Sequence, residues 1–288
     1  MLRQRVITAV LLLAVLLPAM AAQALWPLAL VGAAIVGAGG WEWARLNGSR
    51  QPRLAGLALV VLGLGLAVLG LGWQAAQFAG PAAGLPAAPP ALWWGLAGLW
   101  VLGLVQVLGG GVARWPAWPQ GLRLLLGAPM LWAAGLALLT ARAQGLAFLV
   151  SLLALVWVAD IAAYFGGRRF GRRKLAPAIS PGKSWEGVWS GALGVALLAA
   201  LWIAADRLLG PAGPSYYTVL LDRHGPLVLV LALALLTALS VSGDLFESLV
   251  KRSAGVKDSS GLLPGHGGVL DRIDALLPVL PVAMALVA

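Results

Sequence analysis

The sequence predicts an all-α integral membrane protein, a polytopic helix bundle of about nine transmembrane helices with its N-terminus in the cytoplasm. Of its 288 residues, 61% are hydrophobic and only 10% are charged, and the mean hydropathy is +0.91. A soluble domain has about a quarter of its residues charged, because its surface must face water. The apolar residues also form runs of roughly 20, the length that crosses about 30 Å of hydrocarbon. The bilayer is therefore expected to surround most of the chain.

The apolar runs predict the individual spans. They lie near 6–22, 25–44, 54–73, 91–109, 122–140, 145–165, 187–205, 226–246 and 272–288. The first run has a second interpretation as a cleaved signal peptide, because Arg3 and Arg5 precede it and Ala22-Gln23-Ala24 resembles a cleavage site. The uncharged stretch 77–92, rich in Ala, Gly and Pro, is expected to be an outer loop.

The basic residues predict the orientation of these spans. With the N-terminus inside, seventeen of the twenty Lys and Arg residues fall on the inner side, and only Arg142, Arg207 and Arg223 fall outside. This asymmetry satisfies the positive-inside rule. The net charge of +10 is then explained by topology and by attraction to anionic membrane lipids, so no nucleic-acid partner is expected.

The composition also limits the chemistry. The chain has no cysteine and only two histidines, His224 and His266. Disulfides, thiolate nucleophiles and Cys-ligated zinc are excluded. A bound metal would be held by oxygen atoms, which favours Mg²⁺.

The acidic residues and lysines lie mostly in the second half of the chain. Only Glu42 precedes position 159, and the other nine acids lie from Asp160 onward. All four lysines are equally late. We therefore expect one membrane domain, 1–288, in which 1–145 is mainly scaffold helices and 146–288 carries the active site.

The most informative block is 244–274. Asp244, Glu247, Ser248 and Lys251 have the spacing i, i+3, i+4 and i+7, which places them on one helical face at the end of an apolar span. Ionisable groups are costly there and are usually functional. Gly255 is expected to end the helix.

A glycine-rich turn follows, and two more acids come after it. Gly261, Pro264, Gly265, Gly267 and Gly268 leave backbone N–H groups free to approach phosphate oxygens. Asp271 and Asp274 lie at the start of the last apolar run. Carboxylates beside Lys and Arg suit a metal–nucleotide site, because Mg²⁺ binds one or two carboxylates together with phosphate oxygens. The alternative is an interfacial loop whose charges only pair with one another.

A second polar cluster spans 160–187. Asp160 and Tyr164 lie one turn apart and are expected to face the bundle. The segment Ser180-Pro-Gly-Lys-Ser-Trp-Glu-Gly187 contains Gly-Lys-Ser, but a P-loop needs glycine where Pro177 stands, so that motif is rejected. A turn that opens a helix can still bind phosphate through Lys183 and Ser184. Four arginines nearby, Arg168, Arg169, Arg172 and Arg173, are interpreted as a membrane anchor.

The histidines are expected to differ in role. His224 is expected in an outer loop facing solvent. His266, inside the glycine-rich turn, is expected to donate to a phosphate or to cap the turn.

These motifs resemble those of the phosphatidate cytidylyltransferase family. The block 248–274 is similar to the family signature, including Lys251-Arg252, Lys257-Asp258, His266-Gly-Gly268 and Asp271-Arg-Ile-Asp274. The segment Ser180–Gly187 resembles the upstream family motif, with Ser184 where Thr is frequent, and Trp41-Glu-Trp-Ala-Arg45 is also similar. The motifs cover about a fifth of the chain. The last apolar run departs from the pattern because it is short and contains Pro278 and Pro281.

The resemblance implies transfer of CMP from CTP to phosphatidic acid, giving CDP-diacylglycerol and pyrophosphate in phospholipid biosynthesis. It implies a requirement for Mg²⁺, with a second cation left open, and it makes Asp244 and Asp271 metal ligands. The expected partners are the two substrates and membrane lipids, and a homodimer is left open. The expected location is the cell (inner) membrane with the active site facing the cytoplasm.

The site residues expected on this basis form two groups. The catalytic group is Asp244, Lys251, Asp271 and Asp274. The substrate-binding group is Ser180, Lys183, Ser184, Ser248, Arg252, Lys257, Asp258, His266, Gly267, Gly268 and Arg272. In this hypothesis Lys251, Arg252 and Lys257 balance the charge of two anionic substrates, and Asp258 and Asp274 orient those cations.

Two alternative functions are weighed against this one. A CDP-alcohol phosphotransferase uses a D-G…A-R…G…D…D pattern, which the chain lacks. A transporter of anionic lipids would explain the intramembrane acids but not a Gly-His-Gly-Gly turn clustered with cations on one side.

Overall fold

The computed structural model describes residues 2–58, 61, 65, 89–210 and 213–288. In this part of the chain the fold is a helical bundle with one short β-hairpin. The helices, numbered in chain order, are α1 Leu2–Ala21, α2 Trp26–Leu46, α3 Pro90–Arg114, α4 Gln120–Gln144, α5 Leu146–Phe170, α6 Trp185–Leu209, α7 Tyr216–Ser253, α8 Leu270–Ile273 and α9 Leu276–Leu286. The strands are β1 Lys174–Ala176 and β2 Ser180–Ser184, and a 3₁₀ turn at Trp115–Ala117 follows α3.

Six helices within the described ranges are long and apolar enough to cross a bilayer, judged by length and composition: α1 and α3 to α7. The chain is therefore a nearly all-α integral membrane protein, as the sequence predicts. The span predicted at 54–73 starts in a helical stretch, 52–58, but most of it lies outside the described residues. Most of the outer loop predicted at 77–92 also lies outside them, and the total of nine spans stays a prediction.

Helices α5 and α6 approach each other closely along small residues. A Cβ atom added to Gly187 or Gly191 would lie 2.9 Å from the carbonyl oxygen of Ala163 or Ala159 on α5. Small residues four apart allow such close backbone contact between membrane helices. Since Gly187 is in the first turn of α6, this contact also places the preceding hairpin against α5.

An aromatic cluster joins α2, α3 and α7 on the other side of the bundle. The Phe246 ring lies 5.9 Å from Trp43 and from Trp100, and 5.8 Å from Trp115. The Trp43 indole donates to the Arg123 carbonyl at 2.9 Å, which satisfies its only polar group. The C-terminal end of α2 is thereby fixed against α7.

The hairpin of β1 and β2 corrects the prediction of a wholly α-helical chain. The strands pair antiparallel, with Lys174 opposite Ser184 and Ala176 opposite Ser180. Pro177 and Pro181 flank the turn, and each would remove a helical hydrogen bond. Ser184 then caps α6, because its hydroxyl accepts from the Gly187 N–H at 3.2 Å.

Helix α7 is longer than the span predicted at 226–246. It starts at Tyr216, capped by Ser215, and bends at Gly225, which has φ +79° and precedes Pro226. His224 lies in this first section of α7 and is exposed, so the predicted exposure is confirmed although the residue is helical.

The C-terminal segment consists of α8 and α9 instead of one continuous helix. Helix α9 has 11 residues, and residues 277–285 are all buried. Its end is tied to the first section of α7, because the Arg223 guanidinium donates to the Val287 carbonyl. The short last segment thus runs from Asp271 to the end of the bundle where Arg223 lies.

Candidate active site

The predicted polar face of α7 is present. The Ser248 hydroxyl donates to Oδ1 of Asp244 at 3.1 Å, one helical turn away. Lys251 is buried, with 9% of its surface exposed, and its ammonium forms an ion pair with Glu247. Helix α7 ends at Ser253, and Gly255 follows with φ +72°, which confirms its predicted role as the helix breaker.

The hairpin brings Lys183 to this face of α7. Its Nζ atom lies 2.7 Å from Oδ2 of Asp244, and both side chains are partly exposed, at 23% and 32%. The upstream motif and the 244–274 block therefore meet at one site, although 61 residues separate Lys183 and Asp244 in sequence.

A cavity of about 620 Å³ opens beside this ion pair. Cationic and polar side chains line it together with bare glycine backbone, a combination that suits phosphate groups. The polar lining is Asp160, Tyr164, Arg168, Lys174, Ser180, Lys183, Ser184 and Asp244. Asp160 and Tyr164, one helical turn apart, both line the cavity, but both are exposed, so they do not face the packed interior of the bundle as expected. Arg168 and Lys174 were not among the predicted site residues, because a basic run beside a span is equally typical of an anchor.

Asp271 lies on α8 and is a second carboxylate partner of Lys251. Its Oδ1 atom is 2.5 Å from Lys251 Nζ. Its Oδ2 atom accepts from the Ser259 N–H and hydroxyl, both at 2.9 Å, and from the Gly268 N–H at 2.7 Å. Burial alone would raise the pKa of Asp271, but these hydrogen bonds from Lys251, Gly268 and Ser259 outweigh it and lower the pKa to about 2. The side chain is thus ionised at neutral pH.

The segment 254–269, called the connecting loop below, requires glycine at two positions. Gly267 has φ +83°, and a Cβ atom there would lie 2.7 Å from Oδ2 of Asp271. A Cβ atom on Gly268 would lie 2.0 Å from the Ser259 hydroxyl and 2.3 Å from the Glu42 carboxylate. These glycines allow the backbone to approach acidic side chains of the chain itself, whereas the sequence suggested an approach to phosphate.

Asp274 and Asp258 occupy different surroundings. Asp274 ends α8, accepts from the Ala275 N–H at 2.7 Å, and is an electrostatic neighbour of Asp244, Lys251 and Lys183. Asp258 is exposed, and no ion pair joins it to a lysine or arginine among the described residues. Asp274 likewise forms no ion pair within the described ranges, so the orienting role of both residues stays a prediction.

The remaining predicted binding residues are not part of the lining of this cavity in the described chain. Arg252 is exposed and donates to the Val256 carbonyl at 3.2 Å, and Lys257 is exposed. Arg272 donates to the His266 carbonyl at 3.0 Å through Nε. His266 is half-buried, and its Nδ1 atom has no hydrogen-bond partner among the described residues.

Glu42 is a further residue that the site prediction missed. It is fully buried on α2, and its carboxylate accepts hydrogen bonds from the connecting loop and from α8. A signal existed, because Glu42 is the only acid before position 159 and lies in an apolar helix. The half of the chain described as mainly scaffold thus contributes directly to the site.

The donor types of this cluster suit Mg²⁺. Four carboxyl groups lie together with two lysine ammonium groups, so the oxygen ligands that Mg²⁺ prefers are concentrated beside cations that suit phosphate. The carboxylates are Asp244, Glu247, Asp271 and Asp274, and the ammonium groups are those of Lys183 and Lys251.

Lone pairs for a metal are available at both predicted ligands. Oδ1 of Asp271 and each oxygen of Asp244 interact with one donor apiece within the described part of the chain, so lone pairs remain on these atoms. In the described ranges no three His, Cys, Asp or Glu side chains are grouped to hold a metal by themselves. That accords with Mg²⁺, which binds few carboxylates and completes its shell with phosphate oxygens and water.

An apolar cleft of about 500 Å³ lies on the other side of α8 and α9. Residues of α1, α2, α4, α5 and α9 line it, among them Leu12, Gly32, Leu131 and Trp157. The only charged lining residue in the described chain is Arg272, which directly follows Asp271. The cleft thus has an aliphatic interior and one cationic end near the polar cluster.

This fold and site define a class of protein: an integral membrane protein whose helical bundle carries, at one end, a site of lysines and carboxylates next to a cavity suited to phosphate. Comparison with known proteins identifies the family within that class. Residues 3–288 match the Cytidylyltransferase family, and the chain belongs to it.

Individual relatives carry the family name that the motifs suggested. The chain is 40% identical over 288 residues to a phosphatidate cytidylyltransferase of Pseudomonas aeruginosa, covering 99% of this chain and 97% of that protein. A phosphatidate cytidylyltransferase of Haemophilus influenzae is 50% identical over 138 residues, 48% of this chain and 44% of that protein. One from Thermotoga maritima is 44% identical over 143 residues, 49% of each chain. These matches confirm the resemblance drawn from the motifs.

Proposed function

We propose that this protein is an enzyme that transfers CMP from CTP to phosphatidic acid, giving CDP-diacylglycerol and pyrophosphate. The observation that carries this proposal is the meeting of Lys183 and Asp244 beside a cavity with further cations, in a chain of the cytidylyltransferase family. The relative that matches along nearly its whole length is named phosphatidate cytidylyltransferase. CTP as the nucleotide rests on that relationship.

The triphosphate is assigned to the cavity of about 620 Å³. Lys183, Lys174 and Arg168 supply positive charge there, and the bare backbone of Gly182 allows close approach. Cations fixed around a phosphoryl group stabilise the charge that accumulates during transfer. Ser180 adds a hydroxyl donor at the same wall.

The reaction is assigned as a direct in-line displacement. A phosphate oxygen of phosphatidate bonds to the α-phosphorus of CTP, and the bond from that phosphorus to the pyrophosphate oxygen breaks. Lys183 and Lys251 balance the two anions as they approach. Asp244 and Asp271 would hold Mg²⁺, and the Asp274 carboxyl lies near Asp244 and both lysines. When bound, the metal supplies charge neutralisation and orientation of phosphate oxygens. No covalent intermediate on the enzyme is required.

The lipid substrate is assigned to the apolar cleft. Its aliphatic lining suits an acyl chain, and Arg272 at its end suits the anionic headgroup. Because Arg272 directly follows Asp271, a lipid held in this way has its phosphate next to the carboxylates. Phosphatidate then enters sideways from the bilayer.

The finer topology belongs to this proposal as well. It comprises nine spans, a cytoplasmic N-terminus, and a location in the inner membrane with the site facing the cytoplasm. The distribution of Lys and Arg supports this orientation, because seventeen of the twenty fall on one side of the predicted spans. A homodimer stays an open expectation. Labelling of single introduced cysteines, feasible because the chain has none, tests the sidedness.

A turnover assay tests the function. Purified protein is incubated with labelled nucleotide, phosphatidate and Mg²⁺, and lipid-soluble product is measured across CTP, dCTP, ATP, GTP and UTP. The expected result is CDP-diacylglycerol from CTP, with release of pyrophosphate. Lipid movement across vesicles without product would indicate a transporter, and product only from CDP-diacylglycerol and an alcohol would indicate a CDP-alcohol phosphotransferase. Either result overturns the proposal.

A further inference from the structure

Glu42 makes four hydrogen bonds to the segment that carries Asp271. Its Oε1 atom accepts from the Ser260 hydroxyl and from the Val269 N–H at 2.9 Å. Its Oε2 atom accepts from the Ser259 hydroxyl at 3.1 Å and from the Leu270 N–H at 2.7 Å. A fully buried carboxylate is tolerated only with such compensation, so these contacts explain why an acid lies in an apolar helix.

Ser259 and Gly268 connect Glu42 to Asp271. The Ser259 hydroxyl lies between the two carboxylates, 3.1 Å from Glu42 and 2.9 Å from Asp271. The backbone N–H groups of Ser259 and Gly268 donate to Asp271. Those of Val269 and Leu270, the next two residues after Gly268, donate to Glu42. The two acids therefore bind opposite sides of one loop.

The position of Glu42 is itself fixed by α2. Trp43, the next residue, stacks on Phe246 of α7 with ring centroids 5.9 Å apart. Arg45, one turn later, donates to the Ser259 carbonyl. Helix α2 thus holds the connecting loop through the side chains of Glu42 and Arg45, which lie three residues apart and so on the same face of the helix.

We propose that Glu42 is a positioning residue of the active site. By holding the connecting loop from α2, it keeps the Ser259 and Gly268 N–H groups on Oδ2 of Asp271, which leaves Oδ1 directed at Lys251. Glu42 acts through Asp271 and does not touch substrate. The loop geometry stands by itself, and only the kinetic test rests on the proposed function.

Glutamine is a sharp probe of this arrangement. Each carboxylate oxygen of Glu42 accepts from one backbone N–H, that of Val269 or that of Leu270. Whichever way the amide of a Glu42→Gln variant is turned, its NH₂ group faces one of these donors. The variant keeps the size of the side chain but loses one backbone contact to the loop and sets two N–H donors against each other, so it is expected to loosen the loop.

The kinetic test measures turnover and Mg²⁺ dependence in purified Glu42→Gln. We expect kcat to fall about 10–100-fold and the Mg²⁺ concentration for half-maximal activity to rise by a similar factor, as is usual when a partner of a metal ligand is removed. The KM for phosphatidate is expected to stay within about threefold, because the apolar cleft is unchanged. A purely structural role would lower the thermal midpoint without moving the Mg²⁺ requirement.

A second measurement does not depend on activity. Hydrogen exchange at the amides of Ser259, Gly268, Val269 and Leu270 is expected to be at least about tenfold faster in Glu42→Gln, the change that loss of one hydrogen bond produces. Ser260→Ala removes one hydroxyl donor only and is expected to show the same shifts at about 2–10-fold. This milder variant keeps the test valid if Glu42→Gln does not fold.

Asp206→Ala is the matched control, because both contacts of Asp206 end on one oxygen that the amide oxygen of an asparagine could replace. Asp206 is also a carboxylate that holds a loop, accepting from the Ser215 N–H at 2.9 Å and from the Thr218 hydroxyl at 2.6 Å. It is expected to lower the thermal midpoint and leave the Mg²⁺ requirement unchanged. Wild-type Mg²⁺ dependence and wild-type exchange in both Glu42→Gln and Ser260→Ala would overturn the proposal. Inactivity of the unmodified protein would refute the function instead, and the exchange measurement would still decide the role of Glu42.

Discussion

The ion pair between Lys183 and Asp244 offers the most direct test of the assigned site. Its Nζ and Oδ2 atoms are 2.7 Å apart, and 23% and 32% of the two side chains are exposed. Lys183→Gln removes the positive charge and keeps most of the side-chain length. The variant changes one wall of the cavity and no buried contact of the helices.

The expected effects on stability and on catalysis differ enough to be separated. An ion pair that water still reaches contributes about 0.2–1 kcal/mol, which is at most about a fivefold change in an equilibrium. A fixed cation that stabilises charge in the transition state contributes a factor of about 100–1000 in kcat. Lys183→Gln should therefore lose that factor in activity while its thermal midpoint moves by no more than about 4 °C.

The assay measures CDP-diacylglycerol formation and thermal unfolding on the same detergent-purified sample. Arg207→Gln is the control, since it removes a cation from a comparable exposed pair, Arg207 with Asp222 at 3.3 Å, away from the cavity. The control should keep wild-type activity. If Lys183→Gln keeps more than about a tenth of wild-type kcat/KM, or if its activity falls only in step with its stability, the assignment of the triphosphate to this cavity is wrong.

Three further predictions follow from the metal ligands and the cleft. Asp271→Asn removes the charge that faces Lys251, and Mg²⁺-dependent product formation is expected to be lost while gel filtration still shows a folded protein. Chelation by EDTA is expected to stop turnover in the wild-type protein, and added Mg²⁺ to restore it in the same sample. Gly32→Leu is expected to raise the KM for phosphatidate at least about tenfold by filling the cleft, because nothing lies within 4 Å of the added Cβ atom. Gly95→Leu, equally free of contacts and outside the cleft, is the control for added bulk.

Each of these predictions has a result that contradicts it. Full activity of Asp271→Asn removes the metal role of that residue. Turnover that persists in EDTA argues against a metal requirement. Equal effects of Gly32→Leu and Gly95→Leu on the KM for phosphatidate would place the acyl chain elsewhere.

Much of the fold could be predicted from the sequence because the bilayer leaves few alternatives. Backbone polar groups in hydrocarbon must bond within the chain, so apolar runs of this length become helices. The span predicted at 187–205 lies inside α6, Trp185–Leu209, and the one at 145–165 lies mostly inside α5, Leu146–Phe170. Helical spacing also placed Asp244 and Lys251 on one face correctly, since that depends only on local geometry.

The contacts between distant segments could not be predicted in the same way. Glu42 and Ser259 are 217 residues apart, and no local pattern relates them. Burial of an acid in an apolar helix indicates that a partner exists, but its identity depends on how the helices pack. The hairpin was missed for a different reason: its two strands have three and five residues, too few to show an alternating pattern.

The resting ion pairs have a further consequence under the proposed function. In the chain alone, Lys183 is neutralised by Asp244, and Lys251 by Glu247 and Asp271, so neither lysine is an unpaired charge at the site. Substrate binding brings phosphate oxygens for the lysines and a cation for the carboxylates at the same time. Each lysine then exchanges one anionic partner for another, and each carboxylate exchanges one cationic partner for another. Most of the free-energy cost of removing these charges from water is therefore incurred when the protein folds. Binding of CTP without a divalent cation is therefore expected to be up to about fivefold weaker than with one, because it would separate Lys183 from Asp244 and leave that carboxylate without a cation.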